Sequence, residues 1–120
     1  MNENTKRYFE ALLRKYQNAK NLTIGESVLC KFYKSSLRNK NEIFEINKTI
    51  YESHLYSLSK AIKASGLEFF IMTDHSTALM EMIFILEAEG IKMVGIDIVE
   101  RLGDWGDEPE IIKGIRFEVK

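Results

Sequence analysis

Thr73-Asp74-His75-Ser76-Thr77 puts an acid, a base and hydroxyls in five consecutive positions, the group types of a nucleophilic triad. Adjacency excludes that chemistry, because nucleophile, base and orienting acid must converge from separate places in the chain. The segment stands where a strand delivers the chain to a helix N-terminus, the usual ligand position in open α/β sheets. No glycine-rich phosphate cradle precedes it, and Asp74 would repel an anion. Its expected role is N-capping by Asp74 or Ser76, with His75 exposed.

The acid pairs Glu87/Glu89 and Asp107/Glu108 are of types that hold metals or exchange protons, but neighbouring acids in a polar stretch are expected to be solvated. Two histidines and one cysteine, far apart in sequence, do not make a zinc site. His54 is expected at the boundary of an apolar helix stripe. Cys30, beside Leu29, is expected to behave as a small apolar residue. Phe32, Tyr33, Phe69, Phe70 and Phe84 read as core. No catalytic residue, metal or cofactor is therefore expected, and the chain reads as non-enzymatic.

Trp105 stands apart. It is the single tryptophan, held between Gly103 and Gly106 in a turn with Asp104, Asp107 and Glu108. A tryptophan there either folds back on the sheet or presents itself to a partner, where it can dominate binding energy. The expected contact surface is Asp104, Trp105, Asp107, Glu108 and Glu110, together with Glu87 and Glu89.

The net charge of −1 conceals a lopsided distribution. Residues 1–67 carry 12 Lys/Arg against 6 Asp/Glu, and residues 68–120 carry 5 against 12. Charge that segregates along a chain can segregate in space and steer association with a charged partner. A dominant basic footprint is missing, so nucleic acid is not the expected primary partner. The basic N-terminal residues Lys6, Arg7, Arg14, Lys15, Lys31, Lys34 and Arg38 keep that reading as an alternative. Complementary halves also allow pairing between identical subunits.

A length of 120 residues leaves room for one domain, residues 1–120, with an N-terminal helix pair over 1–40 and an α/β sheet part over 41–120. The longest apolar runs, such as Met82–Leu86, are too short to cross a bilayer. The start MNENTKRYFE has no apolar signal region, and a lone cysteine suits a reducing compartment, so a cytoplasmic location is expected. A composition rich in Lys, Ile, Asn and Glu, with one proline, points to AT-rich coding and a low-GC bacterial host.

Tyr8, Phe9, Leu12, Leu13 and Tyr16 recur at helical spacing and predict a helix over 5–20. Thr23-Ile24-Gly25-Glu26 has capping-box form and opens a second helix carrying Val28, Leu29, Phe32 and Tyr33. A short strand through Ile43, Phe44 and Ile46 follows, then a helix spaced by Tyr51, Leu55, Leu58 and Ile62 that stops at Gly66. Leu67–Thr73 reads as a buried central strand. Leu79, Met80, Ile83, Phe84 and Leu86 predict a broadly apolar helix stopped at Gly90. Ile91–Arg101 and the alternating Ile115, Phe117 and Val119 complete the chain as strands. The order α-α-β-α-β-α-β-β predicts a mixed four-stranded sheet of α/β (α+β) class. Strand–helix–strand neighbours should be parallel, and the last two strands should form an antiparallel hairpin.

From Gly66 onward, GLEFFIMTDHSTALMEMIFILEAEGIKMVGIDIVE and then IIKGIRFEVK resemble a family of small uncharacterised proteins carried by Firmicute phages and mobile elements. The resemblance rests on Ser76–Glu81, Gly90–Gly95 and Ile111–Lys120 and covers roughly the second half of the chain. It brings no catalytic residue with it. It implies the company of accessory proteins among which anti-CRISPR inhibitors of Cas nucleases are common. The partner so implied is a protein, a Cas nuclease or its guide complex.

Overall fold

Capping by local side chains sets the helix starts. In the computed structural model, which describes residues 1–18, 21–74, 78–103 and 107–119, Asn2 Oδ1 accepts the Thr5 N–H at 2.8 Å. That cap opens α1 (Glu3–Gln17) two residues before the predicted start. The capping box of α2 (Ile24–Ser36) forms as expected, Thr23 and Glu26 each accepting the other's N–H. The third helix starts later than its spacing suggested. Residues Glu52–His54 make a 3₁₀ turn, and α3 runs Leu55–Ser65 to Gly66 at φ 76°, a left-handed stop that glycine takes without strain. Tyr51 is therefore exposed rather than part of the apolar stripe.

The strands are β1 (Glu45–Ile46), β2 (Phe69–Met72), β3 (Ile91–Arg101) and β4 (Glu110–Val119), with α4 (Leu79–Ala88) between β2 and β3. The predicted order of elements holds. α4 is capped at Ala78 with no side-chain bond, so Asp74 is not its N-cap. The Asp74 carboxylate accepts the Thr49 hydroxyl instead, at 3.4 Å. His75 and Ser76 lie outside the described residues.

The sheet order is β1-β2-β4-β3, with β1 and β2 parallel and the other pairs antiparallel. Parallel neighbours thus arise from β1–α3–β2 but not from β2–α4–β3, where β4 inserts between the strands. The hairpin explains this. β3 and β4 pair along nearly their whole length, so the inner edge of β3 is already occupied. β4 also presents Phe117 to Phe70, the rings stacked at 5.1 Å. β3 is left at the edge with a bulge between Met93 and Gly95, a feature that suits an edge strand.

One apolar cluster runs from Phe9 and Leu12 of α1 through Leu29, Phe32 and Tyr33 of α2 to Phe70, Met82, Ile91 and Phe117. Phe9 stacks between Tyr33 at 4.8 Å and Phe44 at 5.3 Å, so the N-terminal helix is part of the core. Cys30 is buried there and burial pushes its thiol up, as expected of a small apolar residue. Phe69 is only half-buried and Phe84 is exposed; neither is the core residue its type suggested. Phe84 lies opposite Met82 and Leu86 around α4, and those two fill the core.

Beyond Ile115, which pairs with the end of β2 at Met72, the hairpin continues past the strand it is bonded to. There Gly114 is buried against β2. A Cβ at that position would lie 2.5 Å from Met72 O and 2.7 Å from Ile71 Cγ2. Ile71 and Val99 are buried but stand outside the main cluster, on the sheet face away from the helices. The distal hairpin therefore curls across that face. Gly114→Ala is expected to destabilise by about 1–3 kcal/mol through overpacking against backbone, read as a lowered urea midpoint at unchanged slope.

Candidate functional site

The acids singled out from sequence do not gather. Glu87 and Glu89 stand at the end of α4, just before β3 begins at Ile91. Asp107, Glu108 and Glu110 stand at the other end of β3, since Glu110 pairs with Arg101 in register. Eleven residues of extended chain separate the two groups, on the order of 30 Å. The charge halves also partly neutralise each other within the molecule. Lys63 meets Glu89 at 3.3 Å and Lys40 meets Glu100 at 3.2 Å. Arg116 holds both Asp97 and Glu118 at 3.2 Å and lies 3.8 Å above the Phe69 ring. Glu87, Asp107, Glu108 and Glu110 have no ion partner within 4.0 Å among the described residues. Asp104 and Trp105 lie outside the described residues.

A buried polar cluster that sequence reasoning missed sits on the sheet face beneath the hairpin. Glu45 of β1 is 3% exposed. Its carboxylate accepts the Thr73 hydroxyl and the Arg101 guanidinium. Beside it the Ser36 hydroxyl donates to Phe32 O and accepts the Glu45 N–H at 2.8 Å. Asn39 forms a bridge to Arg101 and clamps Ile43 with both its amide donor and its carbonyl. Hydrogen bonding to Glu45 raises the Arg101 pKa above its ordinary value. The arrangement is a staple: it ties the far end of β3 to β1, at the opposite edge of the sheet. The partners are 56 residues apart in sequence, and no local spacing announces them.

The staple has a consequence on the other face. Cross-strand register, shifted by the bulge between Met93 and Gly95, puts Ile91, Met93, Ile96, Ile98 and Glu100 on one side of the hairpin with Phe117, Ile115, Lys113 and Ile111. Near β2 this face is the core itself, with Ile91 and Phe117 fully buried. Further along, the helices no longer cover it. Ile96 is 81% exposed and Ile111 62% exposed, with Ile98 and Met93 also open to solvent. α4 lies on this side of the sheet, through Met82 and Leu86, and turns Phe84 and Met80 outward. The result is a mainly apolar surface, with Lys113 opposite Ile98 and Glu100 opposite Ile111, where soluble domains normally place polar residues. No local pattern announces it, because the bulge between Met93 and Gly95 decides which face Ile96 and Ile98 join.

Residues 28–119 match the family described as a domain of unknown function, DUF7698. The chain belongs to that family. No curated protein and no solved structure matches. The family span covers the whole sheet, the staple and the exposed apolar face. It begins inside α2 and leaves out α1, although Phe9 of α1 is fully buried in the common core. No helix among the described residues is long and apolar enough to cross a membrane.

Removing Arg101 strands a carboxylate that water does not reach, whereas removing the Glu45 charge frees a half-exposed guanidinium to solvent. Arg101→Ala is therefore expected to lower stability by about 3 kcal/mol and Glu45→Gln by only about 1–2 kcal/mol. Chemical denaturation of both variants, checked against the double variant, reads the asymmetry.

Proposed function

We propose that this chain is a non-catalytic protein-binding module that docks through the open face of its distal hairpin and the adjoining outer face of α4. The observation that carries the reading is the row of Ile96, Ile98 and Ile111, which continues the core's own sheet face into solvent. Such a face gains about 25 cal/mol per Å² of apolar area when a partner covers it. A partner clasping the hairpin would reach Asp107, Glu108 and Glu110 at its end, so its matching surface is apolar with a basic margin. The likeness to phage and mobile-element proteins suggests a concrete class. A nucleic-acid-handling effector such as a Cas nuclease has a basic channel, and an acid-tipped apolar hairpin has the charge and shape to block one. The docking surface is thus centred on the apolar face rather than on the expected set of Trp105 and the surrounding acids, with Asp107, Glu108 and Glu110 at its rim.

The test pairs two variants in an assay of Cas nuclease cleavage and in capture of partners from host extract. Ile96→Glu with Ile98→Glu is expected to abolish inhibition and capture without changing the thermal midpoint by more than a few degrees. Asp107→Lys with Glu108→Lys is expected to weaken both and to reduce their salt dependence. Full activity in the isoleucine variant would remove the reading.

A second reading has one specific observation in its favour. β3 is an edge strand of eleven residues, and such edges pair with copies of themselves. Its expected signature is a dimer in sedimentation at both low and high salt that Ile96→Glu converts to monomer.

A further inference from the structure

We propose that the cleft at the carboxyl end of β1, between Asn47–Ile50 and α2, is a small-ligand site for a nucleoside phosphate. β1 and β2 are the parallel pair of this sheet, and the crevice beyond the carboxyl ends of parallel strands is where open α/β sheets take ligands. Here the crevice is real. Asn47 through Ile50, directly after β1, faces one flank of α2 across a cavity of about 300 Å³. That size suits a single ring system, at the small end of ligand sites.

The walls divide by chemistry. Val28 and Phe32 of α2, with Ile50, supply an apolar floor. Tyr51 and His54 form one wall, their rings edge to face at 5.5 Å. This lobe fits a flat heterocycle and offers Lys31 and Lys48 at its margins. A second, more open cavity of about 680 Å³ adjoins it and shares Ser35 and Asn47. Those two residues put a hydroxyl and an amide at the junction, where a ribose would lie. The outer cavity is lined by Arg38, whose forked donors match a phosphate.

Charge points the same way. Lys31, Arg38 and Lys48 have no ion partner within 4.0 Å among the described residues. Glu45, the acid in the lining, is already engaged by Arg101 and Thr73. Asp74 meets the lining at Thr49, whose hydroxyl it accepts. Two such lysines at an apolar slot with aromatic walls, and one arginine in the adjoining cavity, select an anion that carries a flat body. A simple anion would leave the slot empty, and a lipid tail would outgrow it. The inner lobe lies on the basic part of the chain, the outer cavity is closed by Arg101, Leu102 and Gly103 at the end of the hairpin, and neither uses the open face of Ile96, Ile98 and Ile111.

Titration of the ¹⁵N-labelled full chain with ATP, AMP, adenosine, inorganic phosphate and an oligothymidylate tests the proposal. Saturable shifts of the Ser35, Asn47 and Tyr51 amides are expected with ATP and AMP, and much weaker ones with adenosine or phosphate alone. Arg38→Glu with Lys48→Glu, both exposed positions, is expected to weaken ATP binding roughly tenfold or more, whereas Lys113→Glu leaves it unchanged. Absence of saturable shifts with every nucleotide overturns the proposal. So does tighter, steeply salt-dependent binding of the oligothymidylate, which would make the cleft part of a polynucleotide track.

Discussion

A carboxylate removed from water needs a cation and hydrogen-bond donors around it, and Glu45 is such a carboxylate. Its position on β1 obliges the chain to bring a guanidinium across the sheet, and Arg101 at the far end of β3 supplies it. Hence the hairpin must bend, because β3 is hydrogen-bonded at the other edge of the sheet. Gly114 allows the close crossing over β2, and Ile71 and Val99 are buried beneath it. One surface of the hairpin is thereby spent on the fold. The opposite surface, with Ile96, Ile98 and Ile111, is turned out where no helix reaches.

The same bend reorganises the charge. Read along the chain, acids belong to the second half and bases to the first. In three dimensions Lys40 meets Glu100 and Lys63 meets Glu89, so part of the asymmetry is consumed in holding the halves together. Such exposed pairs contribute little stability each, but they remove the charges from any long-range field. What persists is local: an acidic hairpin end at Asp107, Glu108 and Glu110, and a basic cleft around Lys31, Arg38 and Lys48.

The order of elements was legible because the signals behind it are local. Capping at Thr23, the stop at Gly66 and the alternation of Ile115, Phe117 and Val119 each depend on a few neighbouring residues. Strand order was not, since the insertion of β4 beside β2 is decided by the match of Phe117 to Phe70 across the chain. The candidate surface was the least legible part. Alternation along β3 would set Ile96 and Ile98 opposite Ile91 and Met93; the bulge between Met93 and Gly95 turns them onto the Phe117 face, and whether a helix covers that face depends on the length of α4 against that of β3. The polar staple was hidden for a similar reason: a lone glutamate in a two-residue strand has no pattern to betray its burial.

The two surfaces of one hairpin thus divide the labour, one pinned to the sheet and one open to solvent. Hydrogen–deuterium exchange of the chain alone and bound to its captured protein partner reads that division directly. New protection is expected in residues 91–103 and 107–119 and on α4, with α1 and the flank of α2 unchanged. Protection confined to α1 and α2, with the hairpin exchanging as in the free chain, would contradict it.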